Sequence, residues 1–148
     1  MFPNAKGSEQ FALLATIDPA SQAAGTVNSG WIPVANFHAF VAVVETGLMG
    51  TSGTLDAKIV QAQDNAGTGA KDLVGKAIAQ IVKATGDNKQ ALINFKADDL
   101  DTNGNFAYVR LTLTIGTAAS LVAGKLLGVL PRYATAEAFN QAAVVQVI

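Results

Sequence analysis

Phe106-Ala107-Tyr108-Val109-Arg110-Leu111-Thr112-Leu113-Thr114-Ile115 and, after Gly116-Thr117-Ala118-Ala119, the run Ser120 to Leu130 are the most strongly β-patterned part of the chain. In the first run Ala107, Val109, Leu111, Leu113 and Ile115 share one face. Phe106, Tyr108, Arg110, Thr112 and Thr114 share the other. A period of two with one apolar face specifies a strand that packs one side on a core, as in a sandwich. The link Gly116–Ala119 is short enough for a hairpin, so the two runs are expected to pair as neighbours.

Working towards the N-terminus, the same pattern recurs between turn residues. Ala91–Lys96 alternates, and so does Thr54–Gln63, where Leu55, Ala57, Ile59 and Gln61 oppose Asp56, Lys58, Val60 and Ala62. The stretch Lys71–Lys83 is read as strand because Gly75 weakens a helix there by about 1 kcal/mol relative to Ala. Phe37–Glu45 is apolar on both faces, Phe37, Ala39, Val41 and Val43 against His38, Phe40, Ala42 and Val44. Such a strand is covered on two sides or lies at an interface. Trp31–Val34 contains Pro33, which confines it to an edge or a bulge. Phe11–Ile17 reads as a strand stopped by Asp18-Pro19, and 20–30 as a loop. The expected fold is all-β, a jelly-roll-like antiparallel sandwich forming one domain over 1–148, with extended arms at 1–10 and 135–148. Thr135 is placed to cap a short helix in the second arm.

Composition narrows the function. Of 148 residues 14% are charged, where a soluble domain ordinarily has about 25%, and half are apolar. Ten basic against eleven acidic residues leave a net charge of −1, so no basic field exists for a phosphate backbone and nucleic acid is not an expected partner. There is no cysteine and one histidine, which removes thiolate and histidine-rich metal chemistry. The most apolar stretch, 111–124, is interrupted by Thr, Ser and Gly and is too short to cross a bilayer, so no membrane is expected. Met1-Phe2-Pro3-Asn4 carries no basic n-region.

Candidate sites are sparse. Asp99-x-Asp101-x-Asn103-Gly104 opens like a calcium loop, but Arg110 stands where the bidentate Glu belongs. An acidic turn bonded to its own backbone is the better account of Asp99, Asp101 and Asn103. His38 has no relay partner in sequence and Gly75-Lys76-Ala77 lacks the hydroxyl of a phosphate loop, so no catalytic residue and no cofactor are assigned. Trp31, Phe37, Phe40, Phe106, Tyr108 and Tyr133 read as packing rather than as a stacking platform. The terminal Val144, Val145, Val147 and Ile148 form an apolar end with no partner in sequence and, with Trp31, are the expected interface residues.

The order of several segments resembles small virion proteins of tailed-phage structural modules. These are Gly30–Val34 with Phe37-His38, Leu55–Asp64, Gly67–Asp72, Gly75–Ile78, Asn88–Gln90, Leu100-Asp101, Tyr108–Arg110 and Pro131–Ala134. The resemblance covers about 31–134 and rests on order, since none of the motifs is catalytic. It implies a non-enzymatic virion component made in the host cytoplasm: a capsid decoration or cement protein that binds the major capsid protein and itself as a homo-oligomer. The alternatives are a neck or tail adaptor and a carbohydrate-binding sandwich for host adhesion.

Overall fold

The computed structural model describes residues 3–148. Its strands are β1 (Phe11–Gln22), β2 (Gly25–Asn28), β3 (Ile32–Pro33), β4 (Phe37–Thr46), β5 (Thr54–Ala62), β6 (Lys71–Ala77), β7 (Ile81–Val82), β8 (Gln90–Lys96), β9 (Tyr108–Gly116) and β10 (Ser120–Pro131). One sheet has the order β1-β10-β4-β8 and the other β2-β9-β5-β6, with the two-residue β3 and β7 attached to β9 and β5. All pairings are antiparallel. Eight principal strands divided four and four in this order make a jelly roll.

The topology corrects the expected hairpin. β9 and β10 lie in different sheets, and their apolar faces meet across the core, where a Cβ on Gly124 would stand 2.6 Å from Leu111 Cδ2. The link Thr117–Ala119 crosses the roughly 10 Å between sheets instead of folding back within one. Among the eight strands only β5 and β6 are both consecutive and paired; every other connection changes sheet.

Inner faces follow the predicted alternation. Leu55, Ala57 and Ile59 of β5 and Val109, Leu111, Leu113 and Ile115 of β9 are all buried, facing Ala12, Ala15, Ile17, Ala42, Val44, Val122 and Leu126. Each fully buried Leu or Ile contributes about 1.5–3 kcal/mol relative to exposure. On the inner side of β10, Gly124 and Gly128 alternate with Val122 and Leu126. A Cβ on Gly128 would stand 2.7 Å from the Phe37 ring, so the glycine makes room for that ring. Phe37 meets Phe40 edge-on at 6.0 Å and Phe139 at 5.4 Å, while Phe40 stacks on Phe95 at 5.1 Å.

Four local expectations change. β1 continues past Asp18-Pro19 because a bulge between Ile17 and Ala20 takes these two residues out of the ladder. Within the expected 20–30 loop, β2 forms a short, largely exposed edge on β9. Phe37 does not share a face with Ala39, Val41 and Val43: it turns inward beside Phe40 and leaves His38 exposed, at the point where Leu130 opposite has φ of 57°. The 71–83 stretch is strand as far as Ala77, and one helical turn, α2 (Lys83–Gly86), follows β7.

In the arms, one helical turn, α1 (Gly7–Gln10), precedes β1, and a 3-10 turn occupies Ala136–Phe139. Thr135 gives that turn its backbone carbonyl, accepting from Ala138 N at 3.1 Å, and makes no side-chain cap. Ala136 is buried, and Asn140 and Gln141 clamp the tail to β1 through Leu13: Leu13 N donates to Asn140 Oδ1 at 2.8 Å and Gln141 N donates to Leu13 O at 2.8 Å. Residues 1–2 of the expected N-terminal arm lie outside the described residues. No helix among those described is long and apolar enough to cross a membrane.

Candidate functional site

Since the two sheets bury their inner faces against each other, what remains for recognition is their outer faces and the arms. The registers define the outer face of β1-β10-β4-β8 as rows running across four strands. One row is Phe11, Val129, Ala39 and Lys96; the next is Leu13, Leu127, Val41 and Asn94; the third is Thr16, Lys125, Val43 and Leu92. Eight of these twelve side chains are apolar. They are half-buried by one another or exposed, with Phe11 at 46% and Leu92 at 61%. Lys125 pairs with Glu45 on this face at 2.8 Å, and the Lys76–Asp99 pair borders it beside Lys96 and Asn94. The two-faced reading of β4 is thereby resolved: Phe40, Ala42 and Val44 enter the core, while Ala39, Val41 and Val43 look outward onto this apolar field.

The outer face of β2-β9-β5-β6 is built differently. Its rows are Thr26, Thr114 and Asp56; Asn28, Thr112 and Lys58; and Arg110, Val60 and Asp72. Thr112 Oγ1 donates to Asn28 Oδ1 at 2.7 Å, the hydroxyls of Thr26 and Thr114 lie 3.4 Å apart, and Lys58 pairs with Asp72 at 2.8 Å. The Arg110 guanidinium lies 4.5 Å from the centroid of the half-buried Trp31 ring, which Gly67 also approaches. Trp31 therefore packs against Arg110 and the Asp64–Gly69 turn. Lys71 lies 4.3 Å over the Phe106 ring in the same way.

The expected interface residues occupy two separate places. Trp31 belongs to the polar face, whereas the 144–148 end follows the clamp on β1. Val145 is 94% exposed and Ile148 fully so, Val147 is partly exposed and Val144 half-buried, and none of the four is in a strand. The structure does not join Trp31 to this end.

The acidic turn is held by backbone and lysines. Asp101 accepts from Gly104 N at 3.1 Å and from Lys71 Nζ at 2.6 Å, and its own N–H donates to the buried Gln61. The Lys71 ammonium, then the Gly104 N–H, hold its carboxyl below the ordinary value. Asp99 accepts from Lys96 N at 2.9 Å and pairs with Lys76 at 3.1 Å, and the backbone bond is the main cause of its lowered pKa. The two carboxylates thus point to different partners, Asn103 is exposed, and no group of three His, Cys, Asp or Glu fit for a metal occurs among the described residues.

Sequence reading missed the outward rows of β1 and β10, whose apolar residues are legible only once the register assigns them to one face with β4. It also missed the pairing of Arg110 with Trp31. The available signal was a lone arginine in an otherwise neutral row of β9.

No protein family and no curated protein matches the chain. Among solved structures it is similar to the SPBc2 prophage-derived protein YomS, at 10% identity over 80% of this chain and 93% of that one, with a TM-score of 0.43. It is also similar to cowpea mosaic virus top component, at 9% identity over 84% and 91% with a TM-score of 0.46. A third is CBM28, a carbohydrate-binding module specific for non-crystalline cellulose, at 9% identity over 83% and 87% with a TM-score of 0.45.

Proposed function

We propose that this chain is a non-enzymatic structural subunit of a phage particle, a decoration or cement protein that self-associates and binds the major capsid protein. The observation that carries the reading is the apolar outer face of β1-β10-β4-β8. Interfaces between permanently associated copies are more apolar than ordinary surface and depleted of charge at their centres. The occupant we assign to the face is a second copy of the chain. A two-fold axis lying in the interface and running across the strands sets the apolar centre of one face, around Val41 and Leu127, over the centre of the other and keeps Lys96 and the Lys125–Glu45 pair at the two ends. The low overall charge has the same sense, since an isolated subunit with so few charges is poorly protected against association.

The uncharged end at 142–148 is the segment left to reach the shell. It starts from a fixed point on β1, and many such weak contacts repeated over a lattice give avidity. Deleting residues 143–148 is expected to leave the fold and self-association intact and to lower the occupancy of the protein on purified particles; unchanged occupancy removes the tail from the reading. Copies per particle, measured by cryo-electron microscopy, separate decoration from the neck-adaptor reading. Many copies spread over the shell support decoration, and a single ring of a few overturns it.

A further inference from the structure

The outer face of β2-β9-β5-β6 holds a basin of about 310 Å³ walled by Asn28, Lys58, Lys71, Asp72, Arg110 and Thr112, among others. Three cations and one carboxylate line it, in a chain whose net charge is −1. Lys58 is matched by Asp72 and Lys71 by Asp101. Arg110 has no carboxylate partner among the described residues, and its buried Nε makes no hydrogen bond. The guanidinium is instead laid along the Trp31 ring. Stacking of this kind fixes the plane of the fork and leaves its edge free, the geometry that receives a planar carboxylate through two parallel bonds.

Beside that fork the face offers hydroxyl and amide groups rather than further charge. Because Asn28 accepts from Thr112 through its carbonyl oxygen, its amide N–H groups remain as donors and the Thr112 oxygen remains as an acceptor. The Thr26–Thr114 pair repeats the arrangement one row away, since one hydroxyl proton is used between the two and the other is free. Alternating donors and acceptors fit groups that both give and take hydrogen bonds, which is the chemistry of sugar hydroxyls. An acidic peptide carries its N–H donors and C=O acceptors on separate atoms, whereas a sugar hydroxyl gives and takes at one oxygen and so matches the close spacing of these groups.

We infer that the basin binds a carboxylated sugar of an acidic glycan, with Arg110 pairing to the carboxylate and Asn28 and Thr112 to the adjacent hydroxyls. The inference stands on a different face from the self-association proposed above, and its failure leaves that reading untouched.

Trp31 is the sole tryptophan, so its fluorescence reports on the site directly. The full chain is titrated with tetragalacturonate and a glucuronate tetrasaccharide, with galactotetraose and poly-L-glutamate alongside, by fluorescence and calorimetry. Saturable binding of at least one uronate is expected, weakened at least about tenfold in Arg110→Gln, the loss expected of one charge-assisted hydrogen bond. Arg110→Lys keeps the charge without the fork and is expected to fall between. Thr112→Val, a near-isosteric change, is expected to weaken the uronate as well, and provides the test should Arg110→Gln fail to fold. The inference is overturned by no saturable signal with either uronate, by equal binding of galactotetraose or polyglutamate, or by unchanged affinity in Arg110→Gln or, should that variant not fold, in Thr112→Val.

Discussion

The two outer faces of this sandwich cover the same core and are opposite in chemistry. On β2-β9-β5-β6 the outward rows satisfy themselves: threonine to asparagine, threonine to threonine, lysine to aspartate and arginine on tryptophan. On β1-β10-β4-β8 the outward rows are mostly Leu, Val, Ala and Phe, with Asn94 and Lys96 on the edge strand β8 and Thr16 and the Lys125–Glu45 pair towards one end. Both sheets complete their inner packing without help from outside, so the fold does not require the apolar outer face. Apolar surface of this extent is what the proposed contact with a second copy would cover.

The strongest way to break the comparison is to make the apolar face resemble its counterpart. Val41→Lys with Leu127→Lys places two charges at the centre of the face, on neighbouring strands in register. The expected result is loss of self-association, read as a fall in solution mass to the 15.2 kDa of one chain. The denaturant midpoint of the dissociated chain should move little, since surface substitutions away from the core usually stay within about 0.5 kcal/mol. Thr114→Lys on the polar face should leave the mass unchanged. Equal mass in the wild type and the double variant would refute assignment of the apolar face to a second copy.

A second test asks whether the inner face behaves independently of the outer one. At Gly128 an added methyl meets the Phe37 ring at 2.7 Å, and that ring is wedged between Phe40 and Phe139. Gly128→Ala is expected to cost about 1–3 kcal/mol, the range for overpacking a filled core, measured by urea unfolding of the Val41→Lys, Leu127→Lys background. A change below a few tenths of a kcal/mol would show that the ring moves aside freely. The next residue, Val129, lies on the outer face, and Val129→Ala in that background should cost less because no cavity is enclosed.

The contrast between these neighbouring residues also marks what was legible in the sequence. Faces were legible: the alternation named Ala107, Val109, Leu111, Leu113 and Ile115 as inward and Arg110, Thr112 and Thr114 as outward, and all are so placed except Ala107, which precedes β9 and is exposed. Strand partners were not, because a link such as Gly116–Ala119 suits both a hairpin and a crossing between sheets. Nothing local to β9 and β10 distinguishes the two. β2 escaped notice because Gly25, Thr26 and Asn28 carry no apolar alternation, and it is a strand only because the edge of β9 offers it a ladder. Of the sites, the double-sided character of Val41 and Val43 was visible in sequence. Their continuity with Leu13, Leu127 and Val129 and the meeting of Trp31 with Arg110 depend on tertiary register between distant segments.

The smallest expected effect is electrostatic. Asp64, Asp87, Asp99 and Asp101 all have carboxyls held below their ordinary value of 3.8, through Thr68, Lys83, the Lys96 N–H and Lys71 respectively as the largest cause. When the folded pKa is the lower one, the unfolded chain takes up protons first as the pH falls. The stability these groups contribute is therefore present in full well above pH 3.8 and is lost progressively as the pH falls through the folded values below it. All four groups are solvated enough for screening to keep each contribution small. Asp101→Asn removes the ion pair to Lys71, one of the cations lining the basin, and is expected to flatten the fall of the urea midpoint between pH 5 and pH 2 while slightly lowering the midpoint at pH 7. The solution mass at pH 7 should not respond, because Asp101 pairs with Lys71 on the polar side of the molecule and is not among the residues of the apolar face. An unchanged acid dependence in Asp101→Asn would mean that Lys71 is held by Phe106 and solvent rather than by Asp101, and a shift in mass at pH 7 would show that the two faces are coupled.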